Sequence, residues 1–115
     1  MKLNNENIRK VIEAQYCDPD FSISVLADCF QVTPANMSYH VKEMLDINFI
    51  EYIWQLRLKR AQKLLTDSDL SIDEISIKVG YLNTSSFRRK FKQDTGITPS
   101  QYRAEMKIIR CDTAR

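Results

Sequence analysis

One helix-turn-helix pattern occurs twice in this chain, from Ser22 to Ile53 and again from Ser71 to Arg103. Superposing the copies places Ser22-Ile23 on Ser71-Ile72, Leu26 on Ile75, Phe30 on Val79 and Val32 on Tyr81. One extra residue in the second turn shifts the register. Met37 then falls on Phe87, Val41 on Phe91, Lys42 on Lys92, Ile47 on Ile97 and Tyr52 on Tyr102. A doubled unit of this kind presents two similar surfaces at a fixed separation. Double-stranded DNA is a target that offers similar grooves at fixed separation.

The length of 115 residues suits one compact domain or two very small ones, and a hydrophobic content of 43% is that of a globular chain. No apolar run is long enough to span a membrane. The start, Met1-Lys2-Leu3-Asn4-Asn5-Glu6-Asn7, lacks the basic-then-apolar design of a signal peptide. The expectation is a cytoplasmic protein without membrane contact. Cys17, Cys29 and Cys111 are odd in number and widely spaced, which fits a reducing compartment. With His40 they lack the paired close spacing of a zinc site. One histidine and no Gly-rich phosphate loop argue against an enzyme, and neither a cofactor nor a metal is expected.

Charge is divided unequally between the copies. In the first, Lys42 is the only Lys or Arg against Asp28, Glu43, Asp46 and Glu51. In the second, Lys78, Arg88, Arg89, Lys90, Lys92 and Arg103 outnumber Asp73, Glu74 and Asp94. A polyanion touching both copies would be held mainly by the second.

The pattern predicts an all-α fold. It has seven helices, as two helix-turn-helix subdomains joined by a long central helix. Asn5 to about Cys17 is amphipathic and stops at Asp18-Pro19-Asp20. Ser22 caps the next helix, and Thr33-Pro34 opens a third with Met37, Val41 and Met44-Leu45 inward. Asn48-Phe49-Ile50-Glu51 opens the longest helix, whose stripe is Ile50, Ile53-Trp54, Arg57-Leu58, Ala61 and Leu64-Leu65. Ser71-Ile72-Asp73-Glu74 is a second capping box, for a helix ending at Gly80. Asn83 caps the sixth helix and Gly96 closes it. Thr98-Pro99 begins a last helix, expected to end near Met106. The organisation expected is a first subdomain over 1–53, a linker helix over 48–66, a second subdomain over 67–108 and a frayed tail over 109–115.

Successive helical residues are about 100° apart, so the face opposite each buried stripe can be named. With Phe87 and Phe91 inward, Ser85 and Arg89 point outward and Arg88 and Lys92 flank them. With Met37 and Val41 inward, Ala35 and Tyr39 point outward, with Asn36 and Ser38 beside them. Arg suits guanine, Asn suits adenine, Ala suits a thymine methyl and hydroxyls suit several base edges. The base-reading set is therefore Ala35, Asn36, Ser38, Tyr39, Thr84, Ser85 and Arg89. Lys42, Arg88, Lys90 and Lys92 suit phosphates, which position a helix without reading sequence. Arg57 and Arg60 serve phosphate or, equally, packing and ion pairs.

Arg57-Leu58-Lys59-Arg60-Ala61-Gln62-Lys63-Leu64-Leu65, Ile72-Asp73-Glu74-Ile75, Val79-Gly80-Tyr81, Ser86-Phe87, Phe91-Lys92, Gly96-Ile97-Thr98-Pro99 and Tyr102-Arg103 form a specific set. By these motifs the chain, from about Asn7 to Arg103, resembles the DNA-binding domain of the AraC/XylS family of bacterial transcription regulators. The resemblance implies recognition helices at Pro34 to Leu45 and Asn83 to Thr95, entering successive major grooves. Asp46 stands where the family often has Gly, and Tyr39-His40-Val41 replaces the usual Arg-apolar-Phe. Most members carry a sensory domain ahead of this one. The chain is then either an excised C-terminal portion, which its start at the first helix favours, or a stand-alone regulator. The expected partners are double-stranded DNA and RNA polymerase, and the isolated domain is expected to be a monomer. The alternative function is a protein-interaction module built on a degenerate helix-turn-helix.

Overall fold

A computed structural model describes residues 2–113, with side chains over 2–109. The described residues form seven helices and no strand: α1 (Asn5–Gln15), α2 (Ile23–Cys29), α3 (Pro34–Leu45), α4 (Phe49–Asp67), α5 (Ile72–Lys78), α6 (Thr84–Thr95) and α7 (Pro99–Thr113). They fall into two compact units, Met1–Arg57 and Leu58–Arg115, with the division inside α4.

Side chains close the helix starts that the sequence marks. Ser22 Oγ accepts from the Val25 N–H at 3.3 Å, Thr33 Oγ1 from Asn36 at 3.1 Å and Asn83 Oδ1 from Ser86 at 3.1 Å. Each satisfies a backbone donor that the helix itself leaves unpaired. At α5 the capping box is reciprocal, with Ser71 Oγ accepting from Glu74 N–H at 3.1 Å and Glu74 Oε1 accepting from Ser71 N–H at 3.4 Å. Thr98 and Gln101 form the same exchange at the start of α7, at 3.2 and 3.0 Å.

The two turns are built alike. The Val32 N–H reaches back to the Ala27 carbonyl at 3.2 Å, and the Tyr81 N–H to the Ser76 carbonyl at 2.9 Å. Both reversals need one residue in the left-handed region, Gln31 at φ 57° and Gly80 at φ 107°. Ala27 and Ser76 are fully buried beneath their turns. The Ser76 hydroxyl donates to the Tyr81 carbonyl at 2.9 Å, so it carries no unpaired polar group inward. The ends of α3 and α6 repeat the device. Asp46 at φ 62° and Gly96 at φ 85° are left-handed. Their N–H groups donate to Lys42 and Lys92 carbonyls, both at 2.8 Å. Asp tolerates this conformation better than most residues, so the turn survives the loss of Gly.

In the first unit Ile8, Val11, Ile12, Phe21, Leu26, Ala27, Phe30, Met37, Val41, Phe49 and Ile53 make one buried cluster. The second unit buries Ala61, Leu65, Ile75, Val79, Phe87, Phe91 and Pro99. Its aromatic rings form a chain: Tyr81 to Phe87 at 5.9 Å, Phe87 to Phe91 at 5.9 Å and Phe91 to Tyr102 at 5.7 Å between centroids.

Two expectations are corrected. Ile50 is 79% exposed and lies outside the stripe of α4. Phe49 takes the inward position in the first turn instead, its ring edge-on to Phe21 at 5.5 Å. Helix α7 continues to Thr113 rather than ending near Met106, because no Gly or Pro interrupts it. The tail expected to fray over 109–115 is therefore helical through Thr113, and 114–115 lie outside the described residues.

A left-handed glutamine costs on the order of 1 kcal/mol over glycine once glycine's larger entropy loss is deducted. Gln31→Gly should raise the unfolding free energy by roughly that amount. Asp46→Gly should gain less. Urea denaturation of both variants checks this, and an unchanged or lowered Gln31→Gly midpoint contradicts it.

Candidate nucleic-acid interface

The second helix of each turn, α3 and α6, presents the face that the periodicity names. Met37 and Val41 of α3 are fully buried, as are Phe87 and Phe91 of α6. On the opposite side Ala35, Asn36, Ser38, Tyr39 and Lys42 of α3 are exposed, as are Ser85, Arg88, Arg89 and Lys92 of α6. Thr84, the first residue of α6, is half-buried.

The two faces differ in chemistry. Tyr39 occupies on α3 the place that Arg89 occupies on α6. It is 64% exposed, with its ring edge-on to His40 at 6.2 Å. The α3 face is thus small, hydroxylic and aromatic, with Lys42 as its cation. On α6, Arg89 is held by no hydrogen bond or ion pair among the described residues, so its guanidinium is available to a ligand.

The other cations of α6 are not equivalent. Arg88 donates to Asp73 Oδ1 of α5 at 3.3 Å, an exposed pair of modest strength. The pair aims Arg88 across the turn and offsets part of its charge. Lys90 is half-buried and already engaged within the protein. Lys92 stands on the exposed side, one turn beyond Arg88.

Arg57 does not belong to this surface. It is 8% exposed. Its Nε donates to the Tyr16 carbonyl at 2.7 Å and its terminal nitrogen to the Asp18 carbonyl at 3.0 Å. These carbonyls sit where the chain leaves α1, so the guanidinium fastens α4 to that exit. Arg103 does the same in the second unit, donating to the Leu65 carbonyl at 3.1 Å and the Ser68 carbonyl at 3.2 Å. Its charge therefore contributes less to the basic surface than a count of residues suggests. Arg60 is exposed.

The sequence reading also missed a groove in the first unit, with a volume of about 520 Å³, lined by Phe21, Ile23, Phe49 and Ile50 together with Ser22, Ser38, Lys42 and Asn48. Its signal was the run Phe49-Ile50, whose second residue the periodic stripe absorbed. Among the described residues no three His, Cys, Asp or Glu are placed to hold a metal ion, and no helix is long and apolar enough to cross a membrane. The side chain of Cys111 lies outside the described residues.

Duplicated helix-turn-helix units, each with a solvent-facing second helix, define a nucleic-acid-binding class of fold. Residues 26–105 match the family model of a helix-turn-helix domain. The chain is 34% identical over 98 residues to the bifunctional transcriptional activator/DNA repair enzyme AdaA of Bacillus subtilis, covering 82% of this chain and 46% of that protein. Among solved structures, the C-terminal domain of the two-component response regulator yesN from Fusobacterium nucleatum superposes with a TM-score of 0.83 at 36% identity, covering 85% of this chain and 95% of that one. The DNA-binding domain of AdpA, solved with a target DNA, shares the fold at a TM-score of 0.84 and 21% identity, covering 91% of this chain and 94% of that one. The chain belongs to the AraC-type helix-turn-helix family, whose members are DNA-binding transcription regulators. It spans less than half the length of the curated relatives it matches.

Breaking a buried charge-assisted hydrogen bond costs about 1.5–3 kcal/mol. Arg57→Ala should therefore destabilise the fold by at least about 2 kcal/mol. It should leave the slope of log K against log salt for DNA binding unchanged. A stable variant whose slope falls by about one would restore Arg57 to the phosphate-contacting set.

Proposed function

We propose that this chain binds double-stranded DNA sequence-specifically, with α3 and α6 entering major grooves about one helical turn apart. The purpose of that binding is regulation of transcription. The observation that carries the reading is Arg89. It is exposed, unengaged and opposite the buried Phe87–Phe91 stripe, on the second helix of a turn. That placement suits a bidentate contact to guanine O6 and N7. Ser85 and Thr84 stand on the preceding turn for base edges, and Arg88 and Lys92 for phosphates. Lys90 contributes less because it is engaged within the protein.

The first unit reads differently. Ala35 suits a thymine methyl, Asn36 suits adenine, and Ser38 and Tyr39 offer hydroxyls, with Lys42 for phosphate. With no Arg on α3 this half discriminates less sharply, and the operator is asymmetric. A longer relative named as a transcriptional activator supports regulation of transcription as the purpose of binding. A second reading makes the first unit a partner-binding surface. Its support is the acidic balance of that copy and the apolar groove beside α3. A pure interaction module would show no salt-dependent DNA affinity.

Two substitutions separate reading from positioning. Arg89→Ala should lose on the order of 1–3 kcal/mol on the preferred duplex and relax preference at one position. Lys92→Ala should weaken all sequences alike and flatten the salt slope by about one unit. Fluorescence anisotropy over a salt series measures both. Equal losses with unchanged sequence preference would remove Arg89 from the base-reading set.

A further inference from the structure

The one residue that breaks the register between the copies is Leu82, and it is 73% exposed. An apolar residue just before a helix cap ordinarily folds back onto the fourth helical residue and fixes the chain's entry angle. In the first copy Val32 holds that position and packs against the core beneath α3. In the second copy the packing belongs to Tyr81, whose ring lies 5.9 Å from that of Phe87. Leu82 is displaced from the role and left in solvent. It sits one residue before the Asn83 cap, beside Thr84 and Ser85. That is the end of a recognition helix which ordinarily meets base edges.

We infer that Leu82 is a specificity-determining contact of the second unit, packing its isobutyl group on the 5-methyl of a thymine at the edge of the α6 half-site. The inference rests on the DNA-binding reading above. The chemistry is favourable because α6 is otherwise cationic and hydroxylic. Arg88, Arg89 and Lys92 select guanine and phosphate, and the one base-reading residue of α6 that carries a methyl group, Thr84, is half-buried. A branched apolar side chain at the mouth of the groove distinguishes thymine from cytosine by the methyl group. The folded chain itself gives Leu82 nothing to bury against, so its removal leaves the core intact.

The test is a coupling measurement on the intact chain. Each thymine of the preferred duplex is replaced in turn by deoxyuridine, which lacks only the methyl. Wild type, Leu82→Ala and Arg89→Ala are titrated on every duplex by anisotropy. One buried methyl is worth about 0.8 kcal/mol, or roughly fourfold in Kd. The wild type should lose about that factor at a single thymine, and Leu82→Ala should be indifferent to that same replacement. Leu82→Ala should bind the thymine duplex at least that much more weakly, at an unchanged Tm. Additive losses at every thymine, or a Leu82→Ala variant that binds like wild type, would overturn the inference while Arg89→Ala still loses its guanine preference. If Arg89→Ala also binds like wild type and no duplex is preferred, the DNA-reading proposal itself fails with it.

Discussion

Everything else in each unit depends on a backbone reversal five residues long. The N–H of Val32 returns to Ala27, and that of Tyr81 to Ser76. Each return is possible only because one residue, Gln31 or Gly80, turns left-handed, and because the side chain underneath is small enough to let two helices meet. Once the turn is closed, the angle between the helices is fixed. Met37 and Val41, or Phe87 and Phe91, must then face the core. The outward face of the second helix is settled by the same geometry. Function in this fold is thus a by-product of where the hydrophobic stripe has to go.

The arginines divide into two roles on physical grounds. Arg57 and Arg103 are drawn inward by backbone carbonyls left over where a helix ends, which a planar guanidinium satisfies two at a time. Arg88 and Arg89 lie on a helix whose inward positions are already filled by rings, so their charge stays in water. Asp73 then draws Arg88 toward α5 and leaves Arg89 as the unengaged one. A raw charge count treats these groups alike, whereas the fold spends half of them on holding itself together.

Local signals in the sequence carried most of the helix boundaries. Ser22, Thr33, Ser71 and Asn83 cap where their side-chain chemistry predicts, and α3 begins at the Pro of Thr33-Pro34. The outward face of α6 was equally legible, since its period depends on no other element. The carbonyls that capture Arg57 were not legible, because they lie 41 and 39 residues away in sequence. The exposure of Ile50 escaped for a related reason: periodicity cannot choose between Phe49 and Ile50 until Phe21 claims one of them. The left-handed Gln31 was hidden because only the second copy advertises that position with Gly. The isolated position of Leu82 was hidden too, since its apolar type suggests packing that Tyr81 had already taken.

The central claim is that one chain reads DNA with both copies, unequally. Selection of the intact chain on a random duplex pool tests it most directly. The account predicts one asymmetric motif with two blocks about ten base pairs apart, the stronger block being the one whose preference changes in Arg89→Ala. A single block, with nothing selected one turn away, would contradict it. The first unit would then be a scaffold or a partner surface.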